Sequence, residues 1–186
     1  KLSGYRGRWL ILFSHPADFT PVCTSEFVAL EKASESFKNL NCQLLGLSVD
    51  SLYAHIAWVK DIKRNFDVHI SFPIIEDVSM SISRAYGMIH DNSTSTAAVR
   101  TCFFIDPHGY IRAVIHYPMN VGRSVSELLR VLEALQFTDE CQLATPEGWH
   151  SGDDAVLLPP SHQEEADNRT QSAEGSWYFT PVESKR

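Results

Sequence analysis

The 186-residue chain has no Cys-x-x-Cys and only four cysteines, Cys23, Cys42, Cys102 and Cys141. Their spacing excludes a thioredoxin-type dithiol and a paired zinc knuckle. So few thiols in a chain this long do not make a disulfide scaffold, and reduced cysteines in a cytoplasmic setting are expected. No stretch of about 18 apolar residues occurs, so no transmembrane helix and no membrane partner are expected. Positive charge is also short: 16 Lys and Arg stand against 23 Asp and Glu, for a net charge of −7. That argues against nucleic acid as a partner and reads as a solvated acidic surface. The eight histidines show no pair at metal-ligand spacing, and neither a metal nor a cofactor is assigned. There is no internal repeat. The chain opens at Lys1 rather than Met, so its natural start is expected to lie upstream, and targeting is left open.

What is present reads as an α/β domain with an appendage. Arg8 to Phe13 and Cys42 to Val49 are dense in apolar residues, as buried parallel strands are. Between them Phe27, Leu30, Ala33 and Phe37 recur at helical spacing, with Thr20 as N-cap and Pro21 as first helical residue. Ser51 caps a second helix whose apolar face is read as Leu52, Ile56, Val59 and Ile62. Phe72 to Ile75 reads as a short strand and Ser79 to Tyr86 as a short helix stopped by Gly87. Asp91 to Ala98 reads as a loop. Val99 to Ile105 and Tyr110 to Tyr117 form a hairpin across Asp106-Pro107-His108-Gly109, followed by an amphipathic helix from Ser124 to Phe137. The order β-α-β-α-β-α-β-β-α matches the thioredoxin-like arrangement. Residues 1–137 are expected to form that domain and 138–186 a loosely structured C-terminal extension. In it, Trp177-Tyr178-Phe179 is expected to anchor the tail at a subunit interface.

The chemistry gathers at Cys23, which follows a strand and lies in the first turn of a helix. The free N–H groups and dipole of that turn favour a thiolate. A fast nucleophilic thiolate also needs cationic charge, oriented donors and exclusion of water. Pro16 can wall the site. The Thr20 hydroxyl lies one turn from the sulfur and can give or accept a hydrogen bond. Arg100 is a charge among apolar strand neighbours, and its guanidinium is a fork of donors. Cys42 and Cys102 fall in apolar strands and are expected to be buried and unreactive. Cys141 lies in a polar stretch and is the one candidate for a second redox cysteine.

Pro16-x-x-x-Thr20-x-x-Cys23 resembles the defining motif of the peroxiredoxins. The longer string Ser14 to Thr24 (Ser-His-Pro-Ala-Asp-Phe-Thr-Pro-Val-Cys-Thr) resembles their one-cysteine, peroxiredoxin-six subfamily. So do Leu47 to Ser51, Phe72 to Ile75, Tyr117 to Arg123 and Ala144 to Trp149, and the likeness runs from Leu2 to about Pro160. It implies a thiol-dependent peroxidase that reduces hydrogen peroxide and organic hydroperoxides through a sulfenic acid on Cys23. An external thiol would be the reductant, and a homodimer or higher homo-oligomer the assembly. By the same resemblance Pro16, Thr20 and Arg100 are active-site positions, Arg123 a second arginine near the site, and His15 the histidine beside the motif proline. For Arg123 a structural and a direct role both stand open, and for His15 packing is the simpler role. The chain departs from the family in lacking the strands that usually precede Lys1 and any cysteine around Trp177. It also contains no Gly-x-Ser-x-Gly, so a phospholipase activity is not expected of these residues. A redox-sensing or chaperone-type interaction protein on the same fold is the alternative.

Overall fold

The computed structural model describes residues 1–89, 96–172 and 176–183. Its contacts divide the chain into two units, Lys1–Val125 and Ser126–Arg186.

In the first unit a five-stranded sheet has the order β3-β2-β1-β4-β5. β1 (Trp9–Ser14) runs parallel to β2 (Cys42–Ser48), which runs parallel to β3 (Ile74–Glu76). On the other side β1 is antiparallel to β4 (Arg100–Ile105), and β4 to β5 (Ile111–Tyr117). The hairpin holds as read: Asp106 Oδ1 accepts from the backbone N–H of His108 and Tyr110, and Gly109 turns the chain at φ +89°. β3 begins two residues later than expected: the Pro73 carbonyl accepts from the Gly46 N–H at 3.0 Å, but proline has no N–H to give to the ladder.

Strand alternation sorts the core. Leu10, Leu12, Leu45, Leu47, Phe103 and Ile105 pack on one face with Met88 and Ala98. On the opposite face Phe13 meets Phe27 and Phe72 edge-on at 5.5 and 5.6 Å. Phe13 pairs with Cys102 across the ladder, so Arg100 and Cys102, two residues apart on β4, belong to this second face.

Two helices cover that face. α1 (Pro21–Lys32) starts after Thr20, whose extended backbone is that of an N-cap, and buries Cys23, Glu26, Phe27 and Leu30. That is the i, i+3, i+4, i+7 stripe of an amphipathic helix. The helix read as continuous to Phe37 breaks at Ala33, and α2 (Ser34–Asn39) carries Phe37 into the core. α3 (Leu52–Phe66) is capped by Ser51 Oγ, which accepts from the Ala54 N–H. Its buried face corrects the one read from the sequence: it is His55, Trp58 and Ile62, while Leu52 and Ile56 are exposed. The helix is rotated because its polar groups find partners inside. His55 reaches Asp18, and Trp58 Nε1 donates to Thr24 Oγ1 at 3.2 Å. α4 (Ser81–Ala85) is followed by Gly87 at φ +65°. Of the loop read from Asp91 to Ala98, residues 91–95 lie outside the described residues.

The second unit begins at the start of α5 (Val125–Cys141), and its described residues include a small core and a two-stranded sheet. Phe137 on α5 stacks on Trp149 at 4.7 Å, and both close on the buried Ala155. This shared core is why α5 groups with the C-terminal segment. β6 (Ala155–Val156) pairs antiparallel with β7 (Pro181–Val182), and α6 (Gln163–Ser172) lies between them in sequence. Trp177, Tyr178 and Phe179 are exposed within this unit.

Candidate active site

Cys23 sits at the third position of α1, fully buried, with its sulfur 3.2 Å from Arg100 Nη1. The same nitrogen donates to Glu26 Oε2 at 2.8 Å. Arg100 Nε and Nη2 both donate to the Met119 carbonyl, at 2.9 and 2.7 Å. Four of the five guanidinium N–H groups are thus engaged, and one on Nη2 has no partner among the described residues.

Glu26 is the residue the motif reading missed. It lies one turn after Cys23, on the same buried stripe, and holds the two arginines together. Arg123 donates to it through its backbone N–H, Nε and Nη2. Arg123 Nη1 reaches the Ser14 carbonyl at 2.9 Å and, more distantly, Cys102 Sγ at 3.6 Å. Its guanidinium lies over the Phe13 ring at 5.2 Å. Burial pushes the Glu26 carboxyl up, but the Arg123 hydrogen bonds and charge outweigh it and hold the group below the ordinary carboxylate range. The cluster therefore carries two guanidinium charges against one carboxylate, in an interior where such charges interact strongly.

The motif loop is placed differently from the simplest expectation. Pro16 is buried and Thr20 half-buried. The Thr20 hydroxyl donates to the Ala17 carbonyl at 2.8 Å rather than capping α1, so its proton is committed and its acceptor lone pairs remain. His15 is fully buried, at 4.8 Å from the Phe27 ring and 5.2 Å from Trp58. Its Nε2 bonds Asp18 Oδ1 at 2.8 Å, and His55 Nδ1 bonds Asp18 Oδ2 at 2.7 Å. Burial pulls the His15 pKa down; for His55 the opposing hydrogen bond and charge of Asp18 outweigh burial and raise it. The two shifts run in opposite directions, His55 toward and His15 away from the charged form, and a neutral His15 can still donate from Nε2 to Asp18.

The donor atoms of His15, Asp18 and His55 lie within 4.8 Å of one another, the arrangement a divalent cation of nitrogen and oxygen preference would use. Here each carboxylate oxygen already pairs with one imidazole. The cluster escaped the sequence reading because His15 and His55 are 40 positions apart and meet only through α3.

The other cysteines fall as read. Cys42 is buried, and burial pushes its thiol up to about 12. Cys102 is buried and raised for the same reason, Arg123 opposing. Cys141 is exposed.

Comparison with known proteins agrees with this geometry. The AhpC/TSA family matches residues 1–114, and the C-terminal domain of 1-Cys peroxiredoxin matches residues 134–173. The chain is 47% identical over 182 residues to a peroxiredoxin of Thermotoga maritima, covering 94% of this chain and 84% of that one. It is 46% identical over 178 residues to peroxiredoxin 2 of Picrophilus torridus, covering 96% and 88%. Among solved structures it superposes on yeast mitochondrial 1-Cys peroxiredoxin with a TM-score of 0.85 at 38% identity, covering 98% and 89%. Peroxiredoxin 6 of Arenicola marina gives 0.83 at 33% identity, covering 100% and 90%. Fold and comparisons together define a thiol-dependent peroxidase on a thioredoxin-like scaffold. The chain belongs to the peroxiredoxin family, in its one-cysteine, peroxiredoxin-six branch. Among the described residues no helix is long and apolar enough to cross a membrane.

Proposed function

We propose that Cys23 is the peroxidatic cysteine and that Arg100, Thr20 and Pro16 complete its site. The observation that carries this reading is the 3.2 Å contact between Arg100 Nη1 and the Cys23 sulfur, with Arg100 braced by Glu26. The thiolate attacks the nearer oxygen of hydrogen peroxide or an organic hydroperoxide. An S–O bond forms, the O–O bond breaks, and water or an alcohol leaves once the departing oxygen takes a proton. The remaining Arg100 N–H stabilises charge on the peroxide oxygens. Buried Pro16 keeps bulk water from the sulfur. Arg123 supports Arg100 through Glu26, and His15 supports the loop through Asp18. The resulting sulfenic acid is reduced by an external thiol acting on the sulfur.

Assembly and location belong to the same proposal. β5 forms one edge of the sheet, with Ile111 and Val114 exposed along it. A sheet edge of this kind can pair with a second copy of the chain, which makes a homodimer. Peroxidase chemistry resides in the first unit, and the C-terminal unit, with its exposed Trp177, serves the dimer. Reduced, unpaired cysteines fit a cytoplasmic protein.

The test is Cys23→Ser, assayed for hydrogen peroxide and cumene hydroperoxide consumption with dithiothreitol as reductant. Activity should be lost, because a serine hydroxyl is neither ionised nor soft at neutral pH. Turnover within about tenfold of the unmodified enzyme would overturn the assignment.

A further inference from the structure

We propose that Asp18 and His55 are positioning residues for peroxide reduction, clamping the loop that carries Pro16 and Thr20 against α3. This rests on the assignment of Cys23 as the peroxidatic cysteine.

Three contacts make the clamp, and all reach the loop at one residue. Asp18 Oδ2 bonds His55 Nδ1 on α3, and Oδ1 bonds His15 at the loop's start. The Asp18 backbone N–H donates to Asp50 Oδ2 at 3.0 Å, and that oxygen is itself held by Ser48 Oγ at 2.8 Å, at the end of β2. Asp18 and His55 are both buried, so water does not compete for these bonds.

A second, independent observation shows what the clamp withstands. Phe19, the next residue, has φ +56°, in the left-handed region that side chains other than glycine rarely adopt. Its ring is exposed and gains little from packing in return. Such a backbone persists where its surroundings over-determine it. The residue after it is Thr20, so the Phe19 conformation sets where the Thr20 oxygen and the first turn of α1 stand relative to Cys23.

The arginine cluster shares no hydrogen bond with the three side chains of this clamp. Arg100, Glu26 and Arg123 make none of their hydrogen bonds to His15, Asp18 or His55. Loosening the loop should therefore impair the orientation of peroxide while leaving the charge around the sulfur in place.

The experiment compares His55→Leu, His55→Asn and His55→Gln in the full chain. Asn places an N–H near the Nδ1 position, and Gln places its N–H farther out. Stopped-flow oxidation of Cys23 by hydrogen peroxide and alkylation of Cys23 by iodoacetamide are measured at pH 7, with thermal unfolding alongside. In His55→Leu and His55→Gln the peroxide rate should fall by on the order of 10²-fold, alkylation should stay within about threefold, and His55→Asn should recover most of the peroxide rate. If Leu does not fold, the contrast between Asn and Gln decides. An unchanged peroxide rate, an equal loss toward both reagents, or no recovery in Asn would each overturn the proposal. If the unmodified chain itself shows no oxidation at Cys23, the assignment of Cys23 fails, a result distinct from any of these.

Discussion

Glu26 accepts three hydrogen bonds from Arg123 alone, from the backbone N–H at 2.8 Å, Nε at 2.9 Å and Nη2 at 2.6 Å. A helix is thereby tied by one side chain to the segment that leads into α5. Removing one partner of a buried ion pair leaves the other charge uncompensated. Glu26→Gln should lower stability by about 3 kcal/mol in urea unfolding and slow peroxide reduction as Arg100 loses its brace. A stability loss below about 1 kcal/mol would show that the two arginines find other partners.

Arg100→Met should slow Cys23 oxidation by roughly 10²-fold or more, the effect of removing a preorganised donor. Arg100→Lys should restore part of it, since an ammonium keeps charge but cannot serve sulfur, Glu26 and the Met119 carbonyl from one plane. Stopped-flow traces with hydrogen peroxide decide this. Unchanged rates in the Met variant would shift the assignment to Arg123.

Acid should expose a third effect. Asp77 accepts hydrogen bonds from the backbone N–H of Ile82 and Ser83 and from Ser83 Oγ at the start of α4. Burial raises its carboxyl pKa, but these bonds outweigh burial and leave it lowered. A lowered folded pKa means that below about pH 4 the unfolded chain binds the proton more readily. The stability from Asp77 is therefore complete above that pH and is lost as pH falls toward the folded value. Asp77→Asn should be less stable at pH 7 and show a shallower decline between about pH 4 and pH 2. Parallel declines in the two proteins would contradict it.

Resolution should need no second cysteine of the chain. Cys42 and Cys102 are buried with raised thiol pKa values, which leaves only Cys141 exposed. Cys141→Ser should keep turnover with dithiothreitol nearly intact, and non-reducing gels after peroxide should show no obligatory Cys23–Cys141 bond. A quantitative disulfide between them, with activity lost in Cys141→Ser, would replace this by a two-cysteine cycle.

How far the sequence could be read depended on the distance over which each signal acts. Pro16, Thr20 and Cys23 lie within eight positions, where the strand-to-helix transition fixes their relation. Arg100 was legible because a charge opening an apolar strand demands a partner. Glu26 was overlooked although it carried the complementary signal: a carboxylate on the same stripe as Cys23, Phe27 and Leu30. His55 was hidden more thoroughly. Leu52, Ile56, Val59 and Ile62 offer a stronger apolar stripe than His55, Trp58 and Ile62, and hydropathy alone chooses the former. Satisfaction of two polar side chains reverses that choice, and their partners Asp18 and Thr24 are far away in sequence. The small core of the second unit was hidden for a similar reason. Phe137, Trp149 and Ala155 share no period, yet they meet in one small core.

The charges around Cys23 also bear on how the enzyme returns to its starting state. Two guanidiniums and one carboxylate leave one positive charge at the sulfur. A thiolate neutralises it, whereas a sulfenic acid does not. On the proposed assignment of Cys23, oxidation converts a balanced cluster into a cationic one at the moment the next reactant must arrive. That reactant is also a thiolate, and the charge released by the first step becomes an attraction for the second. On that assignment the Glu26–arginine arrangement would favour an anion at the sulfur in both halves of the cycle.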